Sequence, residues 1–283
     1  MESKRIEVIP NPYGRRFTRE EIKALVQTDV DGILAGLEPF DEDVLQNATQ
    51  LKAIARVGIG IDNIDIPYAE ANGIKISNTP EGPTEAVAEM TLTAALALVR
   101  DLIGRNDALH NKEWPKHVGL GLKDLPVLFI GYGRIGRFSA DLFRALGAKI
   151  LVYDPYLDED SLLCGERIVD LEEGLKKSRM VSLHSAGEDQ ILGMSEINLL
   201  QDGSFLLNSA RGGLVSEDAV CDALDSGKLA GVWFDAFGEE PYTGRLCDYP
   251  QALLTPHAST YTEQCRLSME MQAAENLIRD LGL

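Results

Sequence analysis

The chain of 283 residues is poor in basic side chains. Lysine and arginine total 27, against 45 aspartate and glutamate residues, which gives a formal net charge of −18 at pH 7. Such an acidic surface repels nucleic acid and anionic membranes, so neither is expected as a partner. An anionic ligand must therefore be captured by local positive groups, because the overall field of the protein opposes it.

Cysteines and long apolar runs are also scarce. The cysteines are scattered and include no C-x-x-C pair, so neither a disulfide framework nor a metal site is expected. They are Cys164, Cys221, Cys247 and Cys265. The longest apolar stretch, residues 86–99, is interrupted by Glu89, which favours a buried helix over a membrane span. No secretory leader is recognisable, so we expect a soluble, cytoplasmic protein.

The first hundred residues alternate short apolar runs with helical patterns. Buried strands are predicted at residues 6–10, 32–36, 52–57 and 75–77. Helices are predicted at residues 19–27, 41–48 and 67–72. Strand and helix in alternation predict a parallel sheet with right-handed crossovers.

A long helical pattern over residues 84–111 predicts a connector into a second α/β domain. Strands of that domain are predicted at residues 127–130, 149–153, 180–183, 204–207, 231–234 and 252–254. A last helix, residues 262–281, is expected to return to the first domain. We therefore predict an α/β fold with two doubly wound parallel-sheet domains, one made of residues 1–98 and 260–283 and the other of residues 99–259.

The segment GYGRIG, residues 131–136, matches the dinucleotide fingerprint G-x-G-x-x-G. It follows a predicted strand and opens a predicted helix, as the fingerprint requires. Gly131 permits a tight turn, Gly133 lets the backbone approach a pyrophosphate, and Gly136 lets helix and strand pack closely. Asp154 ends the next strand, where a carboxylate accepts hydrogen bonds from ribose hydroxyls and repels a 2′-phosphate. NAD is therefore favoured over NADP, although a ligand-free turn and an S-adenosylmethionine site are alternative interpretations.

Four histidines are candidates for acid–base chemistry. His110 and His117 lie in the polar connector and are expected to be solvated. His184 ends a predicted strand, where packing, a contact with the cofactor loop and chemistry are all open. His257 directly follows an apolar strand, and the carboxyl ends of strands border the ligand crevice in open α/β sheets.

Several separate motifs recur in one known family. They are RVGIGIDNID at 56–65, NTP at 78–80, GYGRIG at 131–136, NSARGG at 208–213, FDAFGEEP at 234–241 and TPH at 255–257. In their order and spacing the chain resembles the D-isomer-specific 2-hydroxyacid dehydrogenases, and most closely their phosphoglycerate dehydrogenase-like branch. The resemblance runs from about residue 11 to the C-terminus. It implies a Rossmann NAD-binding domain at residues 99–259 and a flavodoxin-like substrate domain in the remainder.

The family's active site is an arginine, a glutamate and a histidine, which correspond to Arg211, Glu240 and His257. The residue types suit the chemistry. An imidazole titrates near neutral pH and can exchange the hydroxyl proton, while a carboxylate on its other nitrogen fixes the tautomer. A guanidinium binds the substrate carboxylate. The alternative interpretation is that Arg211 and Glu240 form a structural ion pair.

The resemblance also implies contacts with cofactor and substrate. The expected cofactor-binding residues are Thr79, Gly131, Gly133, Arg134, Ile135, Gly136, Asp154, Ser185, Ser209, Ala210 and Asp235. The expected substrate-binding residues are Arg56, Val57, Gly58 and Arg211, with backbone amides of residues 57–60 holding the substrate carboxylate. Asp235 is expected to face the nicotinamide. Family members are usually dimers, so a homodimer with the helix at 84–111 contributing is expected.

The chain departs from the family pattern in three places. The loop after His184 is shorter than usual, and the turn after His257 reads Ala-Ser-Thr-Tyr in place of a glycine-containing turn. The resemblance to phosphoglycerate enzymes implies that Arg56 is a phosphate ligand, but a second arginine, expected in the segment that corresponds to residues 69–73, is absent. Arg15 and Arg16 either supply that phosphate-binding charge or are solvated surface residues. The sequence ends near Leu283, so no serine-binding regulatory domain, and no feedback control through one, is expected.

The expected activity is hydride transfer between NAD(H) and a small anionic D-2-hydroxy acid or 2-keto acid. 3-Phosphoglycerate is one candidate substrate. The alternatives are a glyoxylate or hydroxypyruvate reductase and a non-catalytic NAD-sensing protein of the same fold. The intact Arg211, Glu240 and His257 favour chemistry, whereas the shortened loop after His184 favours the sensor.

Overall fold

The computed structural model describes residues 6–157, 162, 166–187 and 189–283. The chain forms two compact units, unit 1 with residues Met1–Pro83 and Tyr261–Leu283, and unit 2 with residues Thr84–Thr260. The sequence predicted the first boundary between residues 98 and 99. The structure places it earlier because Ala95 and Val99 pack into the core of unit 2 beside Phe129.

Unit 1 contains a three-stranded parallel sheet with the strand order β1-β2-β3. The strands are β1 (Gly32–Ala35), β2 (Ala53–Arg56) and β3 (Lys75–Ser77). The helices are α1 (Arg19–Val26), α2 (Glu42–Leu45), α3 (Ile66–Ala71) and α10 (Glu263–Asp280). Ile54 packs with the cluster beneath α1–α3, whereas Ala53 and Ala55 pack against Ala273 and Leu277 of α10. The period-two alternation of β2 therefore buries both faces of the sheet.

Unit 2 contains a seven-stranded parallel sheet with the order β10-β9-β8-β7-β4-β5-β6. Its strands are β4 (Pro126–Ile130), β5 (Lys149–Tyr153), β6 (Arg167–Ile168), β7 (Met180–Leu183), β8 (Ser204–Asn208), β9 (Leu229–Phe234) and β10 (Ala252–Leu254). Its helices are α4 (Pro83–Val99), α5 (Leu102–His110), α6 (Arg134–Ala145), α7 (Leu171–Lys177), α8 (Met194–Asn198) and α9 (Glu217–Asp225). Short 3₁₀ turns lie at Gly212–Leu214 and Arg245–Asp248.

The strand order reverses between β4 and β7, which makes this position the topological switch point of a doubly wound sheet. Along β4, Leu128 and Ile130 belong to one core cluster and Val127 and Phe129 to the other. Each face is thus covered, as a parallel sheet requires. The prediction of two α/β units built on parallel sheets is confirmed.

The structure differs from the sequence-based prediction in two segments. Residues 6–10 were predicted as a strand but form none. Val8 and Ile9 are exposed, because no neighbouring strand buries them. The predicted helix 84–111 is two helices, because Asp101 has a left-handed backbone (φ 49°) that ends the first. Cys164 lies outside the described residues. Among the helices that the structure describes, none has the length and apolar character to cross a membrane.

Candidate active site

The predicted site residues of unit 2 collect at the carboxyl edge of its sheet. Each follows the end of a strand, and in doubly wound folds this edge borders the ligand crevice. Gly131 follows β4, Asp154 follows β5, Ser185 lies after β7, Ser209 follows β8, Asp235 follows β9, and His257 lies after β10.

The turn between β4 and α6 has no room for a side chain at two of the three glycines of the fingerprint. Gly131 has φ +89°, and a Cβ there would lie 2.6 Å from the backbone nitrogen of Ser185. A Cβ on Gly136 would lie 2.3 Å from the carbonyl oxygen of Gly131. The turn and the first helical turn are therefore in backbone contact, as the fingerprint predicted.

The N-terminus of α6 suits a pyrophosphate. Gly133 is the N-cap and has no side chain to bond the first-turn amides, which include those of Arg134 and Ile135. A Cβ on Gly133 would meet no atom within 4 Å, so the space beside the backbone is open. Amide donors and the positive end of the helix dipole thus face a volume that a phosphate can enter. The residues present fit a dinucleotide.

Asp154 is held in a fixed orientation after β5. Its Oδ2 accepts a hydrogen bond from the amide of Tyr132 at 2.8 Å, and its Oδ1 accepts one from the amide of Tyr156 at 3.0 Å. Carboxylate oxygens can each accept a second bond, so both remain able to bind ribose hydroxyls. Tyr132 is itself fixed, because its hydroxyl donates to Glu166 at 2.8 Å and Arg137 lies over its ring.

His257 and Glu240 form an acid–base pair. Nδ1 of His257 lies 3.0 Å from Oε1 and 3.1 Å from Oε2 of Glu240, and the amide of Phe237 donates to Oε1 at 3.2 Å. The carboxylate therefore makes Nδ1 the protonated nitrogen. Nε2 is left to exchange a proton with a ligand. Both side chains are partly exposed, at 34% and 23%.

The loop that carries His257 is anchored by the buried Asp235. Its Oδ1 accepts bonds from the amide of Ala258 at 2.9 Å and the hydroxyl of Thr255 at 2.5 Å, and its Oδ2 accepts one from the amide of Ser259 at 3.0 Å. His257 has φ 52°, a left-handed conformation that a side chain with a Cβ adopts at a cost. The Asp235 bonds on either side of His257 hold that conformation.

Arg211 is positioned by Asn208, which ends β8. Nδ2 of Asn208 donates to the carbonyl of Arg211 at 2.8 Å, and its Oδ1 accepts from the amide of Ala210 at 3.1 Å. Nη1 of Arg211 donates to the carbonyl of Ala210 at 2.8 Å. The next residue, Gly212, passes so close to the Glu240 loop that a Cβ would lie 2.2 Å from the amide nitrogen of Gly238. Backbone contact therefore joins the loops that carry Arg211 and Glu240.

Three of the predicted substrate residues, Arg56, Val57 and Gly58, lie in unit 1 together with Thr79, whereas Arg211 lies in unit 2. Arg56 is buried at the end of β2, and its guanidinium donates to the carbonyl of Val57. The amide of Val57 bonds to the carbonyl of Ala35 at 2.9 Å, and that of Gly58 bonds to the hydroxyl of Thr79 at 2.7 Å. The amides predicted to bind a carboxylate at Val57 and Gly58 are therefore used within unit 1, and Thr79 holds this loop.

The other two residues of that loop differ. Ile59 and Gly60 follow Gly58, and within the described part of the chain their amide nitrogens have no hydrogen-bond partner. The carbonyl of Ile59 accepts from the side chain of Asn78 at 2.7 Å, which fixes the peptide planes. The second half of the loop over residues 57–60 therefore has two amide donors that no described residue uses.

His184 is a partly buried histidine whose ring contacts the core. Its Nε2 lies 2.8 Å from the hydroxyl of Ser182, and its ring stacks on Phe129 at 5.7 Å. Burial lowers the pKa of His184 to about 4. His184 lies beside the dinucleotide turn, because a Cβ on Gly136 would lie 3.4 Å from the Cβ of His184. Of the interpretations that the sequence left open, the geometry favours packing beside the cofactor loop.

Sequence reasoning missed the residues that orient the others. Asn208 and Thr255 were present in the quoted motifs but were not assigned roles, and Tyr132 was read only as a variable fingerprint position. For Asn208 the available signal was a polar side chain at the end of a fully buried strand, since such a group must find a partner. Among the described residues, no three His, Cys, Asp or Glu side chains are grouped to hold a metal ion.

This geometry defines a dinucleotide-binding domain with an acid–base pair at its ligand edge. A sequence profile described as "D-isomer specific 2-hydroxyacid dehydrogenase, NAD binding domain" matches residues 92–259. The chain belongs to the D-isomer-specific 2-hydroxyacid dehydrogenase family, whose cofactor is NAD.

Named relatives span several activities. Glyoxylate reductase of Thermococcus litoralis is 33% identical, over 91% of this chain and 80% of that protein. D-3-phosphoglycerate dehydrogenase of Synechocystis sp. is 32% identical, over 86% of this chain and 45% of that protein. The chain thus spans about half the length of that relative. The structure of D-lactate dehydrogenase from Aquifex aeolicus, complexed with NAD and lactic acid, superposes with a TM-score of 0.82 at 27% identity, over 92% and 85% of the two chains.

The anchoring role of Asp235 predicts a local effect of Asp235→Asn. An amide side chain has one acceptor oxygen, so the amide of Ala258 or of Ser259 loses a charge-assisted bond and faces a donor. Such a bond is worth about 1.5–3 kcal/mol, so hydrogen exchange at one of these two amides should accelerate roughly tenfold or more. Exchange measured by NMR tests this, with the exposed Asp222→Asn as control. Unchanged exchange at both amides would refute the anchoring role.

The lowered pKa of His184 predicts a pH dependence of stability. The unfolded chain protonates this imidazole near pH 6.5, whereas the folded protein resists protonation until about pH 4. Between these values the unfolded state binds more protons, so stability falls as the pH falls through this window, by up to about 3 kcal/mol. Urea unfolding from pH 7.5 to 4.5 should therefore show a shallower loss for His184→Gln than for the wild type. His110→Gln is the control for removing an exposed histidine, and identical pH profiles of the wild type and His184→Gln would contradict the assignment.

Proposed function

We propose that this protein catalyses NAD-dependent reduction of a small 2-keto acid, and the reverse oxidation of the D-2-hydroxy acid, with Arg211, Glu240 and His257 as catalytic residues. The observation that carries the proposal is the His257–Glu240 pair, 3.0 Å apart at the edge that also presents the dinucleotide turn. A histidine whose Nδ1 is fixed by a carboxylate has Nε2 ready for proton exchange.

Bound NAD supplies hydride acceptance from the carbinol carbon, or hydride donation when reduced. His257 takes the hydroxyl proton at Nε2 during oxidation and returns it to the carbonyl oxygen during reduction. Glu240 stabilises the imidazolium that forms in between. The reaction is balanced, because the alcohol loses one hydride, which NAD accepts, and one proton, which His257 accepts.

Arg211 is proposed to bind the substrate carboxylate. A guanidinium has five N–H donors, so it can grip a carboxylate while keeping its bond to the carbonyl of Ala210. The predicted substrate residues Arg56, Val57 and Gly58 remain part of the proposal, with the amides of Ile59 and Gly60 as the donors. We propose unit 1 as the substrate domain and unit 2 as the cofactor domain.

The proposed cofactor contacts keep the predicted set. Arg134 and Ile135 lie in the first turn of α6, where their amides suit the pyrophosphate, and Asp154 suits the adenosine ribose. Ser185, Ser209 and Ala210 lie on the loops after β7 and β8 at the same edge. Thr79 is proposed to donate its hydroxyl hydrogen to the cofactor, since its oxygen already accepts a hydrogen bond from the amide of Gly58. For Asp235 we propose a contact with the nicotinamide in addition to its three bonds to the His257 loop.

A panel of 2-keto acids with NADH, followed at the nicotinamide absorbance, tests the function. We expect turnover of at least one member, and His257→Ala should lower kcat by roughly 10²–10⁴-fold with NADH affinity retained. Glu263→Gln, at the start of α10, is a control for a substitution outside the site. NADH binding without turnover of any 2-keto acid would instead favour the NAD-sensing alternative.

We also propose that the protein is a cytoplasmic homodimer that uses α5 and the segment after it. Apolar side chains are exposed there and leave a surface that a second copy can cover. Their exposed fractions are 58% for Leu102, 50% for Ile103, 52% for Leu109 and 77% for Trp114. The described cysteines, Cys221, Cys247 and Cys265, are free thiols, which suits a reducing compartment.

Sedimentation equilibrium tests the dimer. The wild type should sediment as a dimer at micromolar concentration, and Leu109→Asp should weaken association at least tenfold, because a charge would enter an apolar contact. Leu146→Asp, at an exposed leucine of the same unit after α6, is the matched control. A monomeric wild type would overturn this proposal.

A further inference from the structure

Unit 1 places a buried carboxylate at the same sheet edge as Arg56. In the register of β1 and β2, Ala35 pairs with Arg56, and the loop after β1 continues from Gly36 to Glu38. The side chain of Asn63, at the end of the β2 loop, donates to the carbonyls of Gly36 at 3.2 Å and Glu38 at 2.6 Å. The two loops are thus joined, and Glu38 lies at the edge that carries the proposed substrate residues.

The Glu38 carboxylate is held by backbone groups alone. It is 9% exposed, its Oε2 accepts from the amide of Gly36 at 2.9 Å, and its Oε1 accepts from the amide of Phe17 at 3.4 Å. Glu38 forms no ion pair with any described residue. Its negative charge is therefore not cancelled by a contacting cation, and water screens it only partly.

The two arginines that could add to Arg56 in binding a phosphate are engaged elsewhere. Arg15 binds Glu21 through two bonds of 2.8 and 2.7 Å, and this pairing is the main reason that the pKa of Glu21 is lowered to about 2. Glu21 in turn closes the capping box of α1 with Thr18. Arg16 donates to the carbonyl of Leu37. Both arginines whose role the sequence left open thus have structural partners in unit 1.

We propose that Glu38 is a specificity-determining residue that restricts the substrate to a single negative charge, so that the enzyme prefers unphosphorylated 2-keto acids. This inference rests on the proposed function, because it takes the β2 loop to bind the substrate. A monoanion matches the charge of Arg56 at this edge. A phosphate adds about two negative charges that meet the Glu38 carboxylate, and repulsion of this kind is strong where water is excluded.

The test compares hydroxypyruvate with 3-phosphohydroxypyruvate, which differ only in the phosphate group. Wild-type kcat/KM should be higher for hydroxypyruvate. Glu38→Gln keeps the shape and the bond to Gly36 but removes the charge, so kcat/KM for the phosphorylated substrate should rise roughly tenfold. The value for hydroxypyruvate should change by less than about threefold. Glu70→Gln, an exposed acid on α3 of the same unit, should leave the ratio of the two values unchanged.

The outcomes separate this inference from the function on which it rests. A wild-type preference for the phosphorylated substrate, or an unchanged ratio in a folded Glu38→Gln, overturns the role of Glu38 and leaves the proposed function intact. No reduction of any 2-keto acid despite NADH binding overturns both. If Glu38→Gln does not fold, the wild type provides the test. Its kcat/KM should be higher for the monoanion 2-oxovalerate than for the dianion 2-oxoglutarate. The opposite preference would refute the inference.

Discussion

The active-site geometry depends on one buried carboxylate. Asp235 binds the hydroxyl of Thr255 and the amides of Ala258 and Ser259, and so fixes the backbone before and after His257. That backbone is left-handed at His257, a conformation that persists only where the surroundings impose it. From this anchored backbone the imidazole of His257 reaches Glu240, with Nδ1 3.0 Å from Oε1. The chemistry proposed for Nε2 thus depends on hydrogen bonds made one and two residues away from His257.

The sheet and the polar strand ends have separate tasks. Alternating apolar residues of β4 pack into two cores and place the strand ends at one edge. Orientation comes from Asn208 and Asp235, which end or follow neighbouring strands and bind the backbone of the loops beyond. Buried polar groups of this kind are specific because each bond is directional and an unmade bond is costly. The close approach at Gly212 then joins the loops of Arg211 and Glu240.

The sequence predicted the strands and fingerprint well because both have local signals. Apolar runs identified β4, β5 and β7 to within a residue, and GYGRIG identified the turn. Residues 6–10 have the same apolar pattern but no neighbouring strand to pair with, so the strand predicted there was wrong. The sequence could not predict that the amides of Val57 and Gly58 are already hydrogen-bonded, because their partners, Ala35 and Thr79, are distant along the chain. Hydrogen bonds between segments distant in sequence leave no local pattern.

A protein with a net charge of −18 that binds an anionic cofactor needs local donors whose attraction at short range exceeds the repulsion by its overall charge. Its overall field extends only about 8–10 Å into physiological salt, so it slows the approach of anions without deciding their affinity. At the edge of unit 2 the donors are backbone amides of α6 and a helix dipole, neither of which requires a basic side chain. Binding through the backbone leaves the side chains free to select. The charge of a single buried side chain, as proposed for Glu38, can then discriminate between ligands that the backbone would accept equally.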